Sequence, residues 1–369
     1  MADQLLVSTP GRICLFGEHQ DYLGLPVIAA AISKRIQIAG HRRTDNQVVI
    51  HMPDIGATET FELTPTLLYG RTRDYFKSAI TILRRDENAQ FSTGFDVNIH
   101  GNIPINAGAS SSSALIVTWI HFLLQMADTP LMRSQEDIAR LAHRAEVLEF
   151  GEPGGMMDHY STAVGNVIYL ESEPVIRLER LTPQLGSFVL GDSGQPKDTL
   201  GILKHVKFGM LDAVAKVKTY DPTFDLHTTP LEQANEYRTQ LSSDELNLLR
   251  SNLSDRDILR EAKRLFTSGA VDDQLLGDLL NRHQDNLRDA KRISTLKIDR
   301  MLDAAMTAGA LGGKINGSGG GGCMFAYAPN NPEAVVEAIE KQGAKAYLIA
   351  IADGTKATRL ESVDSGLIQ

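Results

Sequence analysis

Three stretches of this 369-residue chain concentrate side chains that can do chemistry. The first is PGRICLFGEHQDY, residues 10–22, in which Arg12, Glu18, His19 and Asp21 stand beside glycine turns. Carboxylates accept hydrogen bonds while Arg and His donate them, so such a set binds several hydroxyls at once; a solvated loop of charges is the other reading of the segment alone. The second is a serine loop, PINAGASSSSA, residues 104–114. Gly108 permits close backbone approach, successive N–H groups and a helix N-terminus supply positive potential, and the hydroxyls of Ser110, Ser111 and Ser112 suit phosphate oxygens or a metal. Taken alone, a linker or a cluster of helix caps reads the same way. The third, GGKINGSGGGG, residues 312–322, is too dense in glycine for an ordinary turn and suits backbone passing close to a ligand or another segment. Ile315 after Lys314 rules out a P-loop, and no strand-turn-helix with an acidic residue ~20 positions later supports a dinucleotide fingerprint. A tight hairpin remains open for it.

These stretches need elements to position them. Leu5 to Ile13 and Val27 to Ile38 read as strands, and Phe95, Val97 and Ile99 alternate with polar residues in the period of a half-buried strand. The serine loop follows that strand and runs into a helix, because Leu115, Trp119, Phe122, Leu123 and Met126 recur at helical spacing. Ser134 with Asp137 reads as a capping box for another helix reaching about Phe150, which GEPGG ends. A change of pattern between Glu171 and Gly191 sets a boundary near residue 185, giving domains 1–185 and 186–369. Beyond it the sequence predicts a strand over Ser187 to Leu190 and helices from about Pro230 to Ala308. A strand over Cys323 to Ala328, a helix over Pro332 to Gln342 and a last strand near Ala346 to Ile351 complete an α+β architecture. With 37 Lys+Arg against 46 Asp+Glu, the net charge of −9 argues against nucleic-acid or polybasic membrane binding. Cys14 and Cys323 are too few for a disulfide framework and lack zinc-site spacing, which fits a reducing compartment. MADQLLVSTPGR has no basic, apolar leader pattern, and no apolar run approaches the ~20 residues of a membrane span. A cytoplasmic protein with no membrane or nucleic-acid partner is expected.

In this order and spacing the three stretches resemble the signature of the galactokinase, homoserine kinase, mevalonate kinase and phosphomevalonate kinase (GHMP) superfamily, over essentially the whole chain. AEVLEFGEPGGMMD, residues 145–158, is similar to the galactokinase stretch with a metal-binding Glu and the catalytic Asp, and RDYFKSAI, 73–80, and ISTLKID, 293–299, look galactokinase-like too. The resemblance implies a two-domain α+β GHMP kinase fold. Its N-terminal domain, ribosomal protein S5 domain 2-like, would carry the phosphate loop and catalytic Asp, and its C-terminal domain, ferredoxin-like, the glycine-rich motif. It implies that Gly108, Ser110, Ser111, Ser112, Gly317 and Gly319 meet ATP, and that Ser112 and Glu146 hold Mg²⁺. Asp158 would face the attacking hydroxyl with Arg12 beside it, and Glu18, His19, Asp21 and Gly155 would meet a sugar. A hydroxyl is a poor nucleophile at neutral pH, so a carboxylate within reach must orient it and take its proton. Two departures stand out. GDSGQPKDTLGILKHVK, residues 191–207, replaces a Tyr-containing galactokinase stretch and is closer to mevalonate, fucose and heptose kinases, which brings Lys197 and Thr199 to the acceptor. Ser113 beside Ser112 leaves the metal ligand open by one position. The implied activity is transfer of the ATP γ-phosphate to the anomeric hydroxyl of a monosaccharide, galactose first, by a monomer or a homodimer. A mevalonate-type kinase and a non-catalytic galactokinase-like sensor are the alternatives.

Overall fold

The computed structural model describes residues 4–105, 108–152, 154–196, 201–202 and 204–360. Strands β1 (Gln4–Phe16) and β2 (Val27–Arg42) pair antiparallel at its centre. Leu5, Val7, Val27 and Ala29 face one apolar core, while Ile13, Leu15, Ile28, Ala30 and Ile32 face a second. Successive side chains of a strand point to opposite faces, so strands buried on both sides show unbroken apolar runs, as these do. Two register shifts interrupt the pairing, between Pro10 and Arg12 and between Cys14 and Phe16. Such irregularities re-aim side chains, and here they flank Arg12.

The first sheet has eight strands in the order β12-β1-β2-β5-β3-β4, with β6 and β7 branching from β2. These are β3 (Gln47–Met52), β4 (Ala57–Glu62), β5 (Phe95–Gly101), β6 (Val167–Glu171), β7 (Arg177–Leu181) and β12 (Lys356–Leu360). Helices α1 (Tyr75–Glu87), α2 (Ser111–Gln125), α3 (Gln135–Glu146) and α4 (Met157–Val164) supply the rest of the first core. Trp119 of α2 is fully buried, stacks on Phe122 with ring centroids 5.5 Å apart, and donates its indole N–H to Phe76 O at 3.0 Å. Ser134 caps α3 as its sequence requires, its hydroxyl accepting from Asp137 N. That helix ends at Glu146 rather than near Phe150, because the chain tightens into a 3₁₀ turn over Leu148–Phe150 and stops at Gly151 with φ of 63°. Ser78 Oγ of α1 donates to Ala145 O at 2.8 Å and fixes the end of α3 beside Glu146.

The second sheet is antiparallel throughout, in the order β11-β8-β10-β9. Its strands are β8 (Phe188–Asp192), β9 (Gly312–Asn316), β10 (Cys323–Tyr327) and β11 (Lys345–Ile349), and the order is that of a ferredoxin-like unit. Helices α5 (Gly209–Tyr220), α6 (Ser243–Thr267), α7 (Asp273–Asp285) and α8 (Leu296–Thr307) lie between β8 and β9, and α9 (Pro332–Glu340) between β10 and β11. Ile258 and Leu259 of α6, Leu276 and Leu279 of α7, and Phe188 and Phe325 share one core with Ile13 and Ile28 of the first sheet. The two sheets are therefore welded, and the chemistry-bearing loops gather at the weld. The chain leaves the first sheet at Leu181, enters the second at Phe188, and returns to the first with β12, whose Leu360 pairs with Gln4. Among the described residues no helix is long and apolar enough to cross a membrane.

Because Trp119 touches Phe76, Phe95 and Phe122 with no exposed surface, Trp119→Ala should lose about 3–5 kcal/mol of stability. Urea denaturation measures it; a loss below about 1 kcal/mol would show that this core does not carry the helical layer.

Candidate active site

The serine loop closes against β1. Gly11 lies so near it that a Cβ there would stand 2.8 Å from Ala109 O, and Arg12 N donates to that same carbonyl at 3.2 Å. This explains the Pro-Gly-Arg order: the glycine admits the loop and the next residue binds it. Gly108 has φ of 89°, a left-handed value that glycine tolerates. Its carbonyl oxygen accepts from the Arg12 guanidinium and from Asn316 Nδ2 at 3.0 Å. Asn316 Oδ1 in turn accepts from Cys14 N at 2.9 Å, and a Cβ on Gly317 would stand 2.9 Å from Gly108 O. The glycine run thus abuts the serine loop, and its first five residues are strand β9. Ser110 stands at the N-cap position of α2 in a left-handed conformation, without a side-chain capping bond, and Ser111 and Ser112 lie in the first turn. Gly319 has φ of 85° and sits against Ile293, further along the same run.

Asp158 occupies the first turn of α4 and receives Arg12 Nε at 2.9 Å and a terminal guanidinium nitrogen at 2.8 Å. Burial works against its charge, but Arg12, the Ser110 hydroxyl and His159 together outweigh it and hold the carboxyl below the ordinary range, so Asp158 is ionised at neutral pH. Asp21 lies beside it. Burial, and then repulsion from Asp158, raise the Asp21 pKa to about 6, although Tyr22 N donates to its Oδ1 at 2.9 Å. Its other oxygen rests on Gly155, where any Cβ would collide with it. Two neighbouring carboxyls with diverging pKa values are a common arrangement in sites that move protons.

Glu146 ends α3 facing the serine loop. Burial resists its ionisation, but hydrogen bonds from His159, Ser113 and Ser112 outweigh it and its pKa lies below the usual carboxylate value. His159 Nε2 stands 2.7 Å from Oε2 and, the acceptor being a carboxylate, must donate. Hard oxygen ligands in small number suit Mg²⁺, which keeps waters and takes phosphate oxygens. Ser112 is exposed and Ser113 buried, so Ser112 is the hydroxyl open to a shared cation. Among the described residues no cluster of three or more His, Cys, Asp or Glu forms a metal site by itself.

The remaining residues divide. Glu18, 2% exposed, has its carboxylate against Lys314 Nζ and Gly317 N. His19, with φ of 62°, accepts from Tyr22 OH at Nδ1, 2.8 Å, and donates from Nε2 to Ser318 O, 3.1 Å. Burial and then Lys291 lower its pKa to about 3, so the ring is neutral. Lys197 and Thr199 lie outside the described residues. Lys207, which the sequence reading passed over in favour of Lys197, stands 4.9 Å over the Tyr22 ring and lowers the Asp21 pKa slightly. Also unread were His159, hidden behind the Met-Asp match, and the buried Lys291–Asp255 pair at 2.8 Å, whose ammonium also donates to Glu18 O at 3.3 Å. A cavity of about 240 Å³ adjoins Ser111 and Ser112, walled by Ile36, Met52, Ile99, Ile103, Ile105 and Leu115. Those apolar residues come from four separate stretches, at 36, 52, 99–105 and 115, which no single local pattern joins.

Fold and site together define an ATP-dependent phosphotransferase. Residues 74–166 match the GHMP kinases N-terminal domain, 268–345 the GHMP kinases C-terminal domain, and 2–42 the galactokinase galactose-binding signature. The mevalonate kinase of Thermococcus gammatolerans is 31% identical over 361 residues, covering 95% of this chain and 94% of that one. A Lactococcus lactis galactokinase complexed with galactose superposes with a TM-score of 0.82 at 22% identity, covering 96% and 95%. For a Methanococcus jannaschii mevalonate kinase the values are 0.73, 17%, 94% and 98%. The chain belongs to the GHMP kinase family.

A carboxyl whose folded pKa stands above its unfolded value stabilises the fold only while protonated. That contribution is full below the unfolded pKa of 3.8 and lost as pH rises through about 6. Asp21→Asn should therefore be more stable than wild type at pH 8, by on the order of 3 kcal/mol, with the gap closing near pH 4. Denaturant titrations at the two pH values check it; an equal gap at both would remove the repulsion argument.

Proposed function

We propose that this chain is a cytoplasmic sugar kinase that transfers the γ-phosphate of ATP to the anomeric hydroxyl of a neutral aldose, galactose being the first acceptor to test. The observation that carries the reading is the carboxylate pair: Asp158, held ionised by Arg12 at 2.8–2.9 Å, with Asp21 next to it against Gly155. In this reading the phosphates lie on Gly108 and Ser110 to Ser112, flanked by Gly317 and Gly319, and the base enters the apolar cavity beside Ser111 and Ser112. Ser112 and Glu146 would hold Mg²⁺, which when bound neutralises phosphate charge. Asp158 accepts the proton of the attacking hydroxyl, and the Arg12 guanidinium balances charge spreading over the moving phosphoryl group. Asp21 accepts from neighbouring sugar hydroxyls, with His19 and Glu18 shaping the wall behind it. The galactose-binding signature over residues 2–42 supports a sugar.

The 31% identity to a mevalonate kinase favours a second reading, a branched hydroxy acid as acceptor. Its carboxylate would meet Asp21 with like charge at neutral pH, against which Arg12 and Lys207 are the nearby cations.

ADP release over a panel of aldoses and mevalonate, with phosphorus NMR of the product, decides between them. An acid-labile glycosyl phosphate is the expected product, and strong activity on mevalonate with none on any aldose overturns the sugar reading. Asp158→Asn should keep ATP binding and lower turnover by about 10²-fold or more; turnover within a few-fold of wild type would end its role as base. Glu146→Gln should raise the Mg²⁺ concentration for half-maximal rate, since a neutral amide is a weaker ligand for a hard cation. An unchanged titration would remove Glu146 from the metal.

A further inference from the structure

Glu18 is the residue whose surroundings differ most from what its motif implies. One carboxylate oxygen is against Lys314 Nζ and the other accepts from Gly317 N. Lys314 sits in the middle of β9 with no exposed surface, and its ammonium also donates to Cys14 O at 2.9 Å and Ile315 O at 3.0 Å. All three protons of an ammonium group have acceptors there. The pair spans the two sheets, since Glu18 follows β1 of the first and Lys314 belongs to β9 of the second. Gly317, the residue that Glu18 grips, is in contact with Gly108 of the serine loop. Behind Glu18, its own carbonyl accepts from Lys291, itself paired with Asp255 of α6, all buried.

We infer that Glu18 and Lys314 are positioning residues that fix the glycine run against the phosphate loop, so that the acceptor motif sets the geometry of the nucleotide site. A buried charge pair has this leverage because removing one partner leaves the other charge unpaired in a low-dielectric interior, and the segments it joins must rearrange. The motif's other links to the glycine run are single neutral hydrogen bonds, from Cys14 N to Asn316 Oδ1 at 2.9 Å and from His19 Nε2 to Ser318 O at 3.1 Å. Gly317 and Gly108 touch without a backbone hydrogen bond between them, and Asn316 Nδ2 to Gly108 O is the neighbouring link. A residue that only met the acceptor would act on acceptor binding and leave the empty enzyme's affinity for nucleotide unchanged.

The inference rests on the reading of residues 108–112 as the ATP phosphate site, and the test separates the two. Affinity for a non-hydrolysable ATP analogue with Mg²⁺ is measured by calorimetry, with no acceptor present, for the full-length wild type, Glu18→Gln, Lys314→Met and the double variant. Each single variant is expected to weaken the analogue about three- to thirtyfold. The double variant, which leaves no unpaired charge, should lose less than the product of the two. Wild-type affinity in Glu18→Gln with a raised acceptor KM overturns the inference while leaving the phosphate site intact, and no binding to wild type overturns both. Should the variants fail to fold, hydrogen exchange on the wild type is decisive. The analogue alone should protect residues 14–20 together with 312–319, and protection of 312–319 without 14–20 overturns the coupling.

Discussion

One carbonyl oxygen holds this site together. The Gly108 oxygen accepts from Arg12 and from Asn316, so segments 96 and 208 residues away in the chain converge on a single acceptor with two lone pairs. Arg12 then reaches Asp158, and Asn316 reaches the backbone of β1 through Cys14 N. No atom in this set can shift alone. The glycines at 11, 108 and 317 follow from that convergence, because three backbones must approach within van der Waals distance where any Cβ would intrude. The welded core beneath, with Ile13 and Ile28 against Phe188 and Phe325, keeps the two sheets from sliding and so keeps the junction closed.

Electrostatics divides labour among four carboxylates. Asp158 is kept ionised by Arg12, Glu146 by hydrogen bonds from His159 and the serines, and Glu18 is matched by Lys314. Asp21 instead has its pKa raised to about 6, by burial and then by repulsion from Asp158. It is therefore the carboxylate with the most to gain from an incoming hydrogen-bond donor.

Much of this was legible because it is local or glycine-marked. The Ser134 cap, the apolar runs of β1 and β2, the helical spacing after Ala114 and the order β8, β10, α9, β11 depend on neighbours in sequence, and each stands where its pattern put it. Strand β9 was hidden because two of its five residues are glycines, yet all five are buried. Strand β12 was hidden because its residues are mostly exposed and its pairing partner is β1, at the far end of the chain. Partners were the hardest to read. Glu18 looks free in sequence, and its cation lies 296 residues away; a charge announces itself, but what neutralises it does not.

The same separations govern when the site comes into being. Arg12 and Asp158 are 146 residues apart, Gly108 and Asn316 are 208 apart, and β1 gains its outer neighbour only from residues 356–360. Contacts so distant form after their loops have been closed, late in folding and at an entropic cost that local helices do not bear. A chain emerging during synthesis can thus build the α1–α4 layer early, while its serine loop waits without Asn316 and Gly317 against it. Catalytic competence is in this sense the last property the fold acquires.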